Sequence, residues 1–154
     1  QQVRAQQMWS GIGFRIGESR LLTPVGDVSE MIRPPEQLTR VPGVRPWVRG
    51  VANIRGSLLP IIDLTGWLGG EMRNPGKRSR VLIINRDELT AGLLVDEVVG
   101  LRQFFAEERS DDVTALAPMV QPAAHGCYQR NDEVWGVITV DDLVSRDNFM
   151  QAAI

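Results

Sequence analysis

Short runs in which apolar and polar residues alternate with a period of two cover most of this chain, and Gly, Pro, Asn and Asp separate one run from the next. Ile12 to Ile16 and Arg20 to Thr23 read as a hairpin around Gly17-Glu18-Ser19, preceded by a polar tail, QQVRAQQM, that Trp9 pins. Val25 to Ile32 fits either a strand or a short helix, and Pro34-Pro35 ends it. From Gly50 to Gly56 the alternation places Val51, Asn53 and Arg55 on one strand face and Ala52 and Ile54 on the other. Gly56 suits a reversal into Ser57 to Ile62, where Pro60 predicts an edge strand or a bulge. Asp63 is placed to cap a helical turn through Trp67 and Leu68.

Further strands are predicted at Arg80 to Asn85, Thr90 to Asp96 and Val98 to Phe104. The charged, glycine-rich connector GGEMRNPGKRS before them is the best internal boundary. Ala106 to Ala124, with Asp111-Asp112, Pro118 and Pro122, reads as a long loop with at most a turn of helix. Strands at His125 to Gln129 and Val134 to Val140 flank the turn Arg130-Asn131-Asp132, and Asp141 is expected to cap a helix containing Leu143 and Val144. Many short, punctuated strands indicate an all-β barrel architecture.

Length permits one domain with a real core, or two small barrels sharing one. A net charge of −2 argues against a nucleic-acid partner that is held by phosphate neutralisation. The basic residues are sixteen arginines and one lysine, giving many forks able to grip carboxylates bidentately. Cys127 is alone, which excludes an intramolecular disulfide and a thiolate-rich zinc site and suits a reducing cytoplasm. No apolar run approaches the length of a membrane span and no signal peptide is visible, so no direct membrane insertion is expected.

Catalytic patterns are missing. His125 is the only histidine and has no recognisable partner pattern. Cys127 follows it by two positions, about 6–7 Å along the same strand face, too far for direct proton transfer. Asp96-Glu97 would point to opposite faces, giving a structural aspartate and an exposed glutamate. Asp141-Asp142 suits helix capping, and neither Gly69-Gly70 nor Gly11-x-Gly13 completes a phosphate loop. The expectation is a protein with no enzymatic activity, no cofactor and no metal. Trp67 reads as a core anchor, Trp47 as core or interface, and one of Phe104-Phe105 as part of an exposed patch.

The segment VPGVRPWVRGVANIRGSLLPIIDLTGWL from Val41 to Leu68 packs a turn, two strands, a reversal and a helix start together, as a surface built for a partner would. Within it GVANIRGSLLPIIDL resembles the central pattern of the CheW-like family, the bacterial chemotaxis adaptors: an apolar strand, Asn-x-Arg-Gly, and an apolar strand with an internal proline ending in Asp-Leu. RVLIINRDELTAGLLVDEVVGL is similar to the family's next hairpin, and GFRIGESRLLTP and VWGVITVDDLV carry weaker echoes, so the likeness spans nearly the whole chain. The opening WSGIGFR and the alanine of GVANIRG look most like the PilI-like branch, which serves type IV pilus twitching motility.

The resemblance implies an all-β, single CheW-like domain over 1–154, made of two five-stranded SH3-like β-barrel subdomains with short helices, one over about 9–76 and one over about 78–145. It implies a non-catalytic adaptor, cytoplasmic and recruited to membrane receptor arrays. Such an adaptor couples a chemoreceptor's cytoplasmic tip to the regulatory domain of a CheA-like histidine kinase. Arg55 is the foremost contact it implies, paired with an acidic residue matched here by Glu30, although one residue is inserted between them and a proline usual at Arg45 stands at Pro46. Gly50, Asn53, Val81 and Leu101 complete the partner-binding set, with ordinary barrel core as the competing reading for Val81 and Leu101. A flagellar adaptor, the detached regulatory domain of a larger kinase, and a small-ligand barrel or enzyme with an unrecognised site are the alternatives.

Overall fold

A computed structural model describes residues 7–86 and 89–145; the first six residues of the expected polar tail lie outside them. The strands are β1 (Met8–Ile16), β2 (Ser19–Pro24), β3 (Val28–Ile32), β4 (Val48–Ile54), β5 (Ser57–Asp63), β6 (Arg80–Arg86), β7 (Leu89–Val95), β8 (Glu97–Phe105), β9 (Arg109–Ser110), β10 (Cys127–Arg130) and β11 (Glu133–Val137). Helices α1 (Leu64–Trp67) and α2 (Val140–Ser145) are short.

The strands sort into a six-stranded sheet, β8-β1-β2-β11-β10-β9, and a five-stranded sheet, β3-β6-β7-β5-β4. The sixth strand of the larger sheet is only Arg109–Ser110, so each unit has five full strands. Their composition corrects the expected division into about 9–76 and 78–145. The middle of the chain, β3 to β7, makes one sheet, and the two ends together make the other. Parallel pairings of β2 with β11 and of β5 with β7 stitch segments far apart in sequence.

Strand alternation explains the long apolar runs. Val81 and Ile83 face a cluster inside the five-stranded unit with Ala52, Leu59, Ile61 and Leu94. Their neighbours Leu82 and Ile84 face a larger core with Phe14, Ile16, Ile62 and Leu93, which α2 also enters through Val140 and Leu143. In the six-stranded unit Leu22, Phe104, Tyr128, Trp135 and Val137 form a third cluster. Each unit thus has its own interior, and a shared core lies against the opposite strand faces, which is why these strands are apolar on both sides.

Several local expectations resolve. Val25–Asp27 is a 3-10 turn and the strand starts at Val28. Asp63 caps α1, its Oδ1 accepting from the Gly66 N–H at 3.2 Å, and its Oδ2 also takes Arg49 Nε at 2.8 Å. β5 is not an edge strand, but β7 pairs with it only from Ile61 onward, so Pro60 sits where β4 is its one partner in the ladder. The polar stretch after Phe105 contains two 3-10 turns as well as β9. His125 precedes β10 rather than starting it, and is exposed while Cys127 is buried, so the two do not form a pair. Asp141 does not cap α2: Thr139 does, its Oγ1 accepting from the Asp142 N–H at 3.0 Å while Asp142 Oδ2 lies 2.7 Å from the same hydroxyl. Asp96 is exposed yet structural, accepting from the Gly17 N–H at 2.6 Å, whereas Glu97 is half-buried in an ion pair with Arg15. Phe104 and Trp67 are core, and Phe105 is half-buried.

Candidate partner-binding groove

The reversal between β4 and β5 is a two-residue turn, Arg55-Gly56, with Ile54 paired to Ser57 across it. Both turn residues have positive φ, +50° and +85°, as the tight hairpin turn that matches strand twist requires. Arg55 is therefore a turn residue and not the strand residue that the alternation suggests. Asn53 Oδ1 accepts from the Gly56 N–H at 2.9 Å and fixes the turn. Arg55, 70% exposed, swings its Nη2 onto Glu30 Oε2 of β3. The hydrogen bond that Arg55 donates to Glu30, and then the Glu30 charge, push the Arg55 guanidinium above its ordinary pKa.

Glu30 sits between two depressions. On one side, Ser29, Glu30, Ile54, Arg55, Ser57, Asn85 and Thr90 surround a polar cleft. On the other, an apolar groove of about 300 Å³ runs where β3 of the smaller sheet meets β1 and β8 of the larger. Ile12, Val28, Leu82 and Val98 line it, and Val25 and Met31 stand at it 44% and 50% exposed. Leu101, 54% exposed, follows Gly100, which lines the groove. Exposed apolar side chains gathered at a junction of two sheets make a surface that gains by being covered.

Three of the six anticipated residues, Glu30, Asn53 and Arg55, thus come together at the hairpin tip, and Leu101 stands exposed across the ladder from Ile12, which lines the groove. Val81 does not belong with them. Its side chain is fully buried among Ala52, Leu59 and Ile61, which corrects its assignment as a contact and supports the core reading. Gly50 is also buried, at a bulge opposite Ile61, with φ of +147°. A Cβ there would lie 2.7 Å from the Thr39 carbonyl, in the bridge that holds Thr39 against Val51. Gly50 shapes the strand behind the hairpin and presents nothing to a partner. The alternation pattern missed Val25 and Met31. In VSEMI the adjacent pair Met31-Ile32 was the available signal, because neighbours on a strand cannot both face inward.

Among the described residues no group of three or more His, Cys, Asp or Glu side chains is arranged to hold a metal ion. His125 Nδ1 stands 3.7 Å from Asp142, the lone histidine beside a capping carboxylate. Burial pushes the Cys127 thiol up, away from the thiolate that a nucleophile needs. No helix among the described residues is long and apolar enough to cross a membrane.

Comparison with known proteins bears on the chain as a whole. The family model described as CheW-like domain matches residues 10–148. Protein PilI of Pseudomonas aeruginosa is 41% identical over 153 residues, covering 99% of this chain and 85% of that protein. Chemotaxis protein CheW of Helicobacter pylori is 27% identical over 139 residues, covering 88% of this chain and 81% of that one. The crystal structure of the scaffolding protein TtCheW from Thermoanaerobacter tengcongensis has the same fold, with a TM-score of 0.79 and 22% identity over 94% of this chain and 98% of that chain.

Proposed function

The chain belongs to the CheW-like domain family, and from that premise we propose that it is a non-catalytic adaptor in a chemosensory system that drives type IV pilus twitching. One surface holds the cytoplasmic tip of a chemoreceptor and another holds the regulatory domain of a CheA-like histidine kinase. The observation that carries this reading is the apolar groove at the sheet junction, flanked by Glu30, which pairs with Arg55 of a tight hairpin. A helical receptor tip suits it: an amphipathic helix lays its apolar face in such a groove, and a charge pair beside it fixes its register. Glu30, Arg55, Leu101, Val25 and Met31 are the receptor-facing residues of this proposal, with Asn53 holding the turn.

Tethering both partners raises their effective concentration, so receptor state biases kinase activity with no chemistry in the adaptor. The 41% identity to PilI supports the pilus output. The adaptor acts in the cytoplasm at membrane receptor arrays, neither inserting into the bilayer nor contacting nucleic acid.

Co-purification of the chain with a receptor tip fragment and a kinase regulatory domain tests the reading. A ternary complex on size-exclusion chromatography, with each partner also binding alone, is the expected result. Displacement of the receptor fragment by saturating kinase domain would show overlapping sites and end the bridging mechanism.

A further inference from the structure

Beside the apolar groove lies a second, basic depression. Met31 and Val98 line both the apolar groove and a smaller depression whose other walls are Arg78, Arg80 and Glu97, so the two adjoin along these side chains. Glu97 is largely committed elsewhere: Arg15 Nε and Nη2 approach its Oε1 at 2.7 and 2.6 Å. Arg78 reaches the other oxygen only at 3.7 Å and remains 78% exposed. Arg80 Nη1 donates to the Lys77 and Ser79 carbonyls at 3.0 and 2.7 Å, which orients the guanidinium without neutralising it. Arg15 and Arg78 share the Glu97 carboxylate while Arg80 bonds only backbone carbonyls among the described residues, and the surplus positive charge sits beside the apolar groove.

We infer that the Arg78–Arg80 depression recognises a carboxylate side chain on the helix that fills the groove, so that the occupant is an amphipathic helix with an Asp or Glu flanking its apolar stripe. This rests on the receptor reading and adds the charge that must flank the helix's apolar stripe. Arginine supplies a planar fork matched to a carboxylate, and a pair formed beside a covered apolar surface is screened less than one in open water. Glu30, which also lines the groove, is already held by Arg55. A helix with no carboxylate at that place would leave Arg78 and Arg80 unanswered. Mismatched charge suppresses the wrong partner.

Titration of a soluble coiled-coil fragment carrying a chemoreceptor tip into the full chain tests this. Arg78→Glu is the principal variant, because its side chain is exposed and makes no backbone hydrogen bond among the described residues. Arg40→Glu, exposed and away from the groove, matches its net charge. The expected result is a roughly tenfold loss of affinity for Arg78→Glu at low salt, little loss for Arg40→Glu, and convergence of all three proteins near 0.5 M salt, where the Debye length falls to about 4 Å. A lysine scan of the fragment's acidic residues should find one position that restores binding to Arg78→Glu while weakening binding to the wild type. Equal affinity of wild type and Arg78→Glu, or a scan with no such exchange, overturns the inference and leaves the receptor reading standing. A wild-type chain that does not bind the fragment at all overturns the receptor reading, and this inference with it.

Discussion

Arg55 is held where an arginine is conformationally disfavoured. A left-handed backbone costs a residue with a Cβ roughly 1–2 kcal/mol, and Arg55 adopts φ of +50° at a position where glycine would be at ease. What it gains locally is one exposed ion pair to Glu30, and such pairs contribute little to stability. Arg55→Gly is therefore expected to leave the melting temperature unchanged or raise it by about 2–4 °C, while receptor-fragment affinity falls about tenfold. Differential scanning calorimetry and a binding titration separate the two effects, and unchanged binding would remove Arg55 from the interface. Gly50 provides the contrast. Gly50→Ala drives a Cβ onto the Thr39 carbonyl, so it should lower the melting temperature, and any loss of binding would track the loss of fold. The family pattern flagged both residues for partner contact, and the sequence could not distinguish them, because the deciding quantities are a dihedral and a close approach to a segment eleven residues away.

At the scale of elements, the six-stranded sheet has a gap between its edge strands, and one ion pair spans it. Arg130 of β10 sends Nε and Nη2 to Glu108 at 2.6 and 2.7 Å, and Nη2 also reaches the Gln103 carbonyl of β8 at 2.8 Å. Its guanidinium lies 4.5 Å from the centre of the Phe104 ring, over the barrel's aromatic cluster. The Arg130 hydrogen bonds, and after them the Phe105 N–H, hold the Glu108 carboxyl down at about 2, from an ordinary value of 4.5. Because the folded pKa lies below the unfolded one, the unfolded chain takes up the proton first. The stabilisation is complete above about pH 4.5 and disappears as pH falls toward 2. Urea midpoints of wild type and Glu108→Gln should differ most near neutral pH and converge in that window. A constant difference down to pH 2 would mean the carboxylate's charge is not what closes the barrel. Nothing in the sequence marked this pair. Glu108 lies in a stretch read as loop and Arg130 in a turn, and only the closure of the sheet brings them together.

For the whole molecule, the period-two pattern made strands and their approximate limits legible, whereas the sorting of strands into sheets was not. Val81 to Ile84 is apolar at every position because both faces are buried, so no alternation tells which face enters the barrel and which meets the shared core. The parallel pairings of β2 with β11 and of β5 with β7 leave no local trace, and the glycine-rich connector looked like a boundary although it joins β5 and β6 of the same sheet by way of α1. The groove inherits this: its walls come from β1, β3, β6 and β8, and it exists only when both sheets are assembled. Division of the chain between Gly76 and Lys77 should therefore yield two fragments that cannot fold separately. Residues 1–76 would carry β1 and β2 without β8 and β11, and β3 to β5 without the central strands β6 and β7, leaving apolar faces and ladder groups unpartnered in both halves. Each fragment alone is expected to lack near-ultraviolet circular dichroism and a cooperative melt. An equimolar mixture should recover both in part, since every native pairing is then available. A cooperative melt from either fragment by itself would show that a sequential half of this chain is a folding unit, and would restore the division at the connector that the sheet order contradicts.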